Sequence, residues 1–307
     1  MSRQWQILDL TEFDGTITSD RGAISLTKKP EVHKRIPVAD LAVVLVGMHV
    51  HFSAATLHRL CEADVAVLFC DWRGVPEGGA FSWSDHGRIA ARHQAQARLS
   101  EPRRKNAWGR IVKAKVLGQA AVLDAAGLPE TKTLAALSKE VRSGDPGNIE
   151  AQAARIYWQA LFDGDKRTPG TRSDDGLNAC LDYGYAVLRG FVIKSILSAG
   201  LSAPLGLFHH GRGNAFALAD DLIEPFRPCI DHVVFQLDTT ASPSDRAIKQ
   251  LLVAAAKQPF SDDGRGIPAV LDDFAQQLGQ YIEGQRERLN PPTWRGPIQT
   301  KDSTHAG

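Results

Sequence analysis

The sequence predicts an α+β fold: a small N-terminal β-sandwich-like domain over residues 1–86, a larger all-α domain over 87–290, and a flexible tail over 291–307. Three observations predict it. Short alternating or apolar runs broken by Asp-Gly and Arg-Gly turns fill the first stretch. From Gly87 the apolar period becomes helical and stays so. After Asn290 the chain (PPTWRGPIQTKDSTHAG) turns to Pro, Gly and polar residues, the composition of an unpacked tail.

Taken in order, Ile7–Phe13, Thr16–Ser19 and Ala23–Thr27 read as strands, with Asp14-Gly15 and Asp20-Arg21-Gly22 as hairpin turn signals. Leu41–Val46 is a continuous apolar run of strand length, suited to a strand covered on both faces. Ser53 can cap a helix through Cys61, and Val65–Cys70 reads as a further strand. The segment GVPEGG, residues 74–79, has turn composition. Candidate helices then cover 87–100, 104–126, 131–142, 149–162, 175–199, 213–224, 244–257 and 266–288, with no internal repeat.

The 307 residues are 43% hydrophobic and 23% charged, as in a soluble globular protein. No window approaches the roughly 18 consecutive apolar residues of a membrane span. Cys61, Cys70, Cys180 and Cys229 are scattered and form no C-x-x-C pair, which argues against a zinc knuckle and for a reducing, cytoplasmic setting.

A net charge of +1 hides a basic segment. Between Arg88 and Lys115 stand Arg88, Arg92, Arg98, Arg103, Arg104, Lys105, Arg110, Lys113 and Lys115, against the single acid Glu101. A solvated helix face would usually bring acids four residues away. Their scarcity points instead to a polyanion surface, with Arg103, Arg104, Arg110 and Lys113 as DNA-contact candidates.

The stretch FHHGRGNAFALADDLIEPFRP, Phe208–Pro228, gathers two histidines and three carboxylates and closes on Arg227. Read as a helix from Asn214 to Glu224, it puts Leu218, Leu222 and Phe226 on one face and Asp220, Asp221 and Glu224 on the other. Uncompensated carboxylates on adjacent turns repel unless a cation joins them. The alternatives are a solvated polar patch and a metal site of mixed imidazole and carboxylate ligands, the latter suited to Mg²⁺ or Mn²⁺. His49 and His51 alternate on a strand-like segment, but no acid follows in register. Tyr157, Trp158, Tyr183 and Tyr185 at helical spacing read as core.

These residues also carry a family resemblance. GLFHHGRGNAFALADDLIEPFRP resembles the signature of the universal CRISPR adaptation integrase, a metal-dependent endonuclease that inserts new spacers: a glycine-led histidine, a polar loop, then Leu-Ala-x-Asp-Leu-x-(Glu/Asp)-x-Phe-Arg. NIEAQAARIYW, Asn148–Trp158, resembles the helix that carries the family's other metal-binding glutamate. LNACLDYGYAVLRGFVIKSILSAGLSAPLG resembles the helix leading into the histidine loop, and RIPVADLAVVLVG…VAVLFCD resembles the family's β domain, in wording closest to type II systems.

The resemblance implies Glu150, His209 and Glu224 as ligands of Mg²⁺ or Mn²⁺, with Asp221 supporting. His209 is chosen over the neighbouring His210 because it follows Gly-Leu-Phe directly. It further implies homodimerisation through the β domain, where Val44 and Leu45 are the positions to disrupt. Implied partners are a small ferredoxin-like adaptation protein dimer, duplex DNA with 3′ ends, CRISPR repeat DNA, and the type II effector nuclease. The implied reaction is attack of a 3′-hydroxyl on a phosphodiester. Two other functions stand beside it: a catalytically inactive DNA-organising subunit, and an unrelated metal-dependent phosphoesterase.

Overall fold

A computed structural model describes residues 6–28, 31–71, 76–82, 86–162 and 176–298. The first part contains strands β1 (Gln6–Leu10), β2 (Gly15–Asp20), β3 (Ala23–Lys28), β4 (Glu31–Pro37), β5 (Leu41–Val46) and β6 (Val50–Phe52), helix α1 (Ala54–Glu62), and strands β7 (Ala66–Cys70) and β8 (Pro76–Ala80). They form two four-stranded sheets, ordered β1-β5-β7-β8 and β4-β3-β2-β6. In the first, β1, β5 and β7 run parallel and β8 antiparallel. In the second, β2, β3 and β4 are antiparallel, and β6 joins β2 in parallel.

β5 explains why its sequence is apolar throughout. Leu41, Val44 and Val46 share a core with Ile17, Ile24 and Leu26 of the second sheet. Ala42, Val43 and Leu45 join the core of the helical region. A strand covered on both faces has no place for a polar side chain. The Asp20-Arg21-Gly22 signal makes the expected hairpin: Asp20 pairs with Ala23 across Arg21 and Gly22, both at positive φ (45° and 78°), as a type I′ turn requires. Ser53 caps α1, its Oγ accepting from Thr56 N at 3.2 Å.

Other expectations are corrected. Asp14-Gly15 does not close a hairpin, because β1 and β2 belong to different sheets. Gly15 instead lets the backbone approach Thr27 O and the Phe13 ring. β6 falls on the strand-like segment of His49 and His51, whereas β4 and β8 are strands the sequence did not signal; β8 occupies much of the GVPEGG segment read as a turn, and Gly74 and Val75 lie outside the described residues.

The second part consists of α2 (Ile89–Ala97), α3 (Glu101–Ala125), α4 (Thr131–Glu140), α5 (Ile149–Leu161), α6 (Leu177–Ser198), α7 (Ala217–Leu222), α8 (Arg227–Val234), α9 (Arg246–Ala255) and α10 (Ile267–Ile282). α6 is its axis, packing on α7, α8, α9, α10 and the first sheet. At Gly190 a Cβ would lie 3.3 Å from Val43 Cγ1 and 3.4 Å from Leu68 Cδ1, so the helix rests closely on β5 and β7. The first sheet is thus an interior layer between the second sheet and α6. Polar ties reinforce the contact: the Tyr183 hydroxyl donates to Asp9, and Lys249 Nζ lies 3.4 Å from Asp9 and 3.3 Å from Glu12.

The helix read over 213–224 is only α7, and a 3₁₀ turn over Glu224–Phe226 leads into α8, which the sequence reading missed. The tail read as flexible from 291 is anchored in its first half. Trp294 is fully buried, with its ring 5.3 Å from that of His232; residues 299–307 lie outside the described residues. The four cysteines are free thiols. Among the described residues no helix is long and apolar enough to cross a membrane.

Val44 and Leu45 are buried inside the protomer, on opposite faces of β5, and are therefore not positions at which a contact between copies can be disrupted alone. Val44→Asp and Leu45→Asp are each expected to cost at least about 4 kcal/mol by burying an unpaired charge. Circular dichroism should show the cooperative thermal transition abolished in both.

Candidate active site

Glycine sets the distance between two helices. A Cβ at Gly118 of α3 would meet Pro228 Cγ of α8 at 2.8 Å, so the helices touch where α3 has no side chain. Lys115 stands one turn earlier on α3, and the close approach carries it to the 3₁₀ turn that precedes α8. Its Nζ lies 2.6 Å from Glu224 Oε2 and 2.7 Å from Glu150 Oε1. Arg227 Nε lies 3.0 Å from Glu224 Oε1. Glu150 is in the first turn of α5, which Asp145 caps: its carboxylate accepts from Ile149 N at 3.0 Å and from Glu150 N at 2.9 Å.

Glu224, Lys115 and Arg227 hold one another in their charged forms. Burial pushes the Glu224 carboxyl up, but Arg227 and Lys115 outweigh it and hold it below the usual carboxylate range. Burial also acts to discharge Lys115, and Glu224 and Glu150 reverse this, leaving its pKa raised. Oε2 of Glu224 is buried, and the ammonium is the cation that meets it.

The histidine loop is built on Asp221, which is completely buried. Its carboxylate accepts from the backbone N–H of Leu207 at 2.5 Å, Phe208 at 3.2 Å and His209 at 3.2 Å, and pairs with His209 Nδ1 at 2.7 Å. Gly206 is required there: a Cβ would lie 2.9 Å from Asp221 Oδ2 and collide with His209 O. Phe208 stacks on buried Trp108 with ring centroids 4.4 Å apart, and both rings meet the imidazole edge-on. The hydrogen bond that the ring donates to Asp221 raises the His209 pKa, with burial acting against it. His210 is exposed and makes no ion pair or side-chain hydrogen bond among the described residues, so His209 is the histidine the loop positions.

The three carboxylates read as one repelling face diverge. Asp221 turns to the loop and Glu224 to Lys115 and Arg227. Asp220 pairs with Arg189 at 3.0 Å and accepts from Asn214 at 2.6 Å. The cations that the pattern demanded come from the chain itself. Asp220 is therefore an ion-pair partner of Arg189.

The structure brings Glu150 and Glu224 to one point and sets His209 within electrostatic reach of Glu224. Among the described residues no three His, Cys, Asp or Glu side chains are close enough to hold a metal ion together. What stands between the two glutamates is the Lys115 ammonium. The donor set nevertheless fits a divalent ion: two carboxylate groups already gathered around a positive charge, a buried glutamate oxygen facing that charge, and an imidazole oriented by a carboxylate.

The basic segment is less free than its sequence implied. Arg88 and Arg92 pair with Glu283 beyond α10, and Arg92 is buried. Arg103 donates to the carbonyls of Tyr281 and Arg286 and lies over the Tyr281 ring at 4.2 Å. Arg110 reaches Asn106 at 3.1 Å and Asn290 at 3.5 Å. Of the four predicted DNA-contact residues, Arg104 and Lys113 make no ion pair or side-chain hydrogen bond among the described residues, and Lys113 is exposed.

Sequence reasoning missed the part played by Lys115, counting it with the surface charge. A signal existed: Trp108, Ile111, Val112, Lys115, Gln119 and Val122 follow one helical stripe, and the two polar residues interrupt a buried apolar face. Asp231, which accepts from the hydroxyls of Tyr157 (2.8 Å) and Tyr185, lies on the unpredicted α8. Both tyrosines are buried, as read.

Residues 8–245 match the family described as CRISPR associated protein Cas1. The CRISPR-associated endonuclease Cas1 of Neisseria meningitidis serogroup C (strain 8013) is 38% identical over 235 residues, 76% of each chain. Among solved structures, a casposase bound to its integration product superposes with a TM-score of 0.77 at 20% identity, covering 98% of this chain and 97% of that one. A Cas6-RT-Cas1–Cas2 complex gives 0.74 at 22% identity, over 96% of this chain and 36% of that one. At these identities the superpositions speak for the fold.

Two outcomes follow from the geometry. Gly206→Ala should displace the histidine loop while leaving the remaining core intact, read as disappearance of the Trp108–Phe208 stacking signal in near-ultraviolet circular dichroism. Glu224, with its pKa lowered in the folded state, contributes stability above the ordinary glutamate pKa, and this fades as pH falls through the lowered value. The melting-temperature difference between wild type and Glu224→Gln in chelator should therefore be full at neutral pH and shrink below pH about 4.5.

Proposed function

The chain belongs to the Cas1 family of CRISPR-associated proteins, and from that premise we propose that it is a metal-dependent DNA integrase that inserts short duplex DNA into a CRISPR repeat. The observation that carries this reading is the convergence of Glu150 and Glu224 on a single positive charge, beside a histidine whose ring Asp221 orients. The relative from Neisseria meningitidis is named an endonuclease, and the casposase is bound to an integration product, which supports strand joining as the reaction class.

Each joining exchanges one phosphodiester for another. The 3′-hydroxyl oxygen of the incoming strand bonds to phosphorus, the target P–O3′ bond breaks, and the proton of the attacking hydroxyl ends on the departing 3′ oxygen. A Mg²⁺ or Mn²⁺ ion held by Glu150, His209 and Glu224 would supply Lewis-acid activation of that hydroxyl and charge neutralisation at phosphorus.

The chain's own residues prepare this. Asp221 holds the ring proton on His209 Nδ1, so Nε2 carries the lone pair available for coordination. The Trp108–Phe208 pair fixes the ring plane. Arg227 balances Glu224 and keeps a positive charge beside the site. Arg104 and Lys113 on α3 are free to meet DNA phosphates.

The Cas1–Cas2 assembly in the similar complex supports a second adaptation protein as partner. We extend that to a homodimer assembling around a small ferredoxin-like partner dimer, with duplex DNA bearing 3′ ends as substrate. Two joinings at the two ends of one repeat need two such sites held at fixed spacing. The type II effector nuclease is the further partner this reading names.

A plasmid integration assay tests the site. Glu150→Gln, His209→Ala and Glu224→Gln should each lower strand joining by more than about 100-fold, and Asp221→Asn by about 10–100-fold, as expected for a residue that orients a ligand. His210→Ala should remain near wild type; inactivity there with activity at His209→Ala would move the ligand to His210. Arg104→Ala with Lys113→Ala should reduce the slope of log K against log salt by about 0.9 for each DNA phosphate that the variant no longer neutralises. Unchanged affinity and slope would place that face away from DNA.

A further inference from the structure

Two observations on α3 meet at one side chain. Lys115 Nζ is bound to both carboxylates, at 2.7 Å from Glu150 and 2.6 Å from Glu224, that the proposed function assigns to a divalent ion. One turn further along, Gln119 is buried and its Oε1 has no hydrogen-bond partner. An acceptor left unpaired in the interior is costly, and each such group in a folded protein calls for a reason.

Lys115 and Gln119 line the same pocket of about 190 Å³, together with Asp182, Tyr185, Arg227 and Asp231. Residues four apart on a helix are neighbours. The lysine stem is a flexible chain that can carry its ammonium from the two glutamates to the amide oxygen without moving the backbone. Among the described residues that line the pocket, Arg227 is the one other cation, and it is paired with Glu224. Asp182 and Asp231 add negative charge to the lining.

We infer that Lys115 is a tethered counter-cation: it holds Glu150 and Glu224 together, competes with the divalent ion for them, and withdraws toward Gln119 when the ion takes its place. The inference rests on the metal reading above. It explains why a lysine and a glutamine interrupt the buried stripe of α3, and why the buried acceptor is unpaired while the ammonium sits on the carboxylates.

The experiment is Mn²⁺ titration by isothermal calorimetry on the full chain, alongside melting curves in chelator. Lys115→Met removes the competitor and should bind Mn²⁺ at least about tenfold tighter than wild type. Its melting temperature in chelator should fall, because two carboxylates then face each other, and its rise on adding Mn²⁺ should exceed that of wild type. Gln119→Leu keeps the lysine and both glutamates but removes the acceptor to which the ammonium withdraws. It should bind Mn²⁺ several-fold more weakly, with a melting temperature in chelator equal to or above that of wild type because the unpaired acceptor is gone.

Equal or weaker Mn²⁺ binding by folded Lys115→Met would overturn the inference. Should that variant not fold, unchanged affinity in Gln119→Leu would overturn it instead. A wild-type chain that binds no Mn²⁺ at all would fail the metal reading itself, a result distinct from either.

Discussion

A carboxylate placed in a helical interior must be matched by positive charge, and Glu224 imposes that demand on everything around it. An unpaired buried charge costs several kcal/mol, whereas a paired and well-supported one can stand. Arg227 meets the demand locally, three residues along the chain. Lys115 meets it from another helix, and can do so only because α3 and α8 nearly touch. Gly118 against Pro228 provides the approach. The Asp145 cap then fixes the first turn of α5, so that Glu150 reaches the same ammonium. A contact between a glycine and a proline thus decides whether two glutamates, 74 positions apart in the chain (Glu150 and Glu224), share one cation.

The same logic of covered faces joins the two parts of the molecule. Because the first sheet packs on the second sheet with one face and on α6 with the other, its central strands β5 and β7 are apolar on both sides. α6 leads directly into the segment that ends in the histidine loop, so the β layer braces the helix that delivers His209. Tyr183 and Lys249, both reaching Asp9 of β1, add polar registration to an otherwise apolar contact.

The features legible in the sequence were those whose cause is local. The run at Leu41–Val46, the turn at Asp20–Gly22 and the Ser53 cap each declare themselves within a few residues, and so does the change of period near residue 87. One short stretch holds the candidates His209, Asp221 and Glu224, which drew notice as a cluster, while their selection, with Glu150, came from the family resemblance. What could not be read was set by partners distant in sequence. The basic segment looked unpaired because Glu283, Glu150 and Glu224, which pair with Arg88, Arg92 and Lys115, lie far along the chain. α8 was not among the predicted helices; its approach carries Pro225 and Pro228, which occupy first-turn positions of the 3₁₀ turn and of the helix, where no N–H is needed. Trp294 lay in a segment with the composition of a loose tail, and a single aromatic anchor overrides composition.

Asp221 and Glu224 are three residues apart, and the structure gives them opposite kinds of bonding. Asp221 accepts three backbone N–H groups and the imidazole, all directional and all from one loop. Moving the carboxylate would leave the buried Leu207 N–H unpaired, so it is fixed in place as the loop's scaffold. Glu224 is held by side-chain cations, Lys115 at Oε2 and Arg227 at Oε1, the former on a long flexible stem. A contact of that kind can pass from one cation to another without orphaning any backbone group. The distinction separates them by bonding rather than by position: the carboxylate bound to the backbone orients the histidine, and the one bound to side-chain cations suits the ligand role proposed for it.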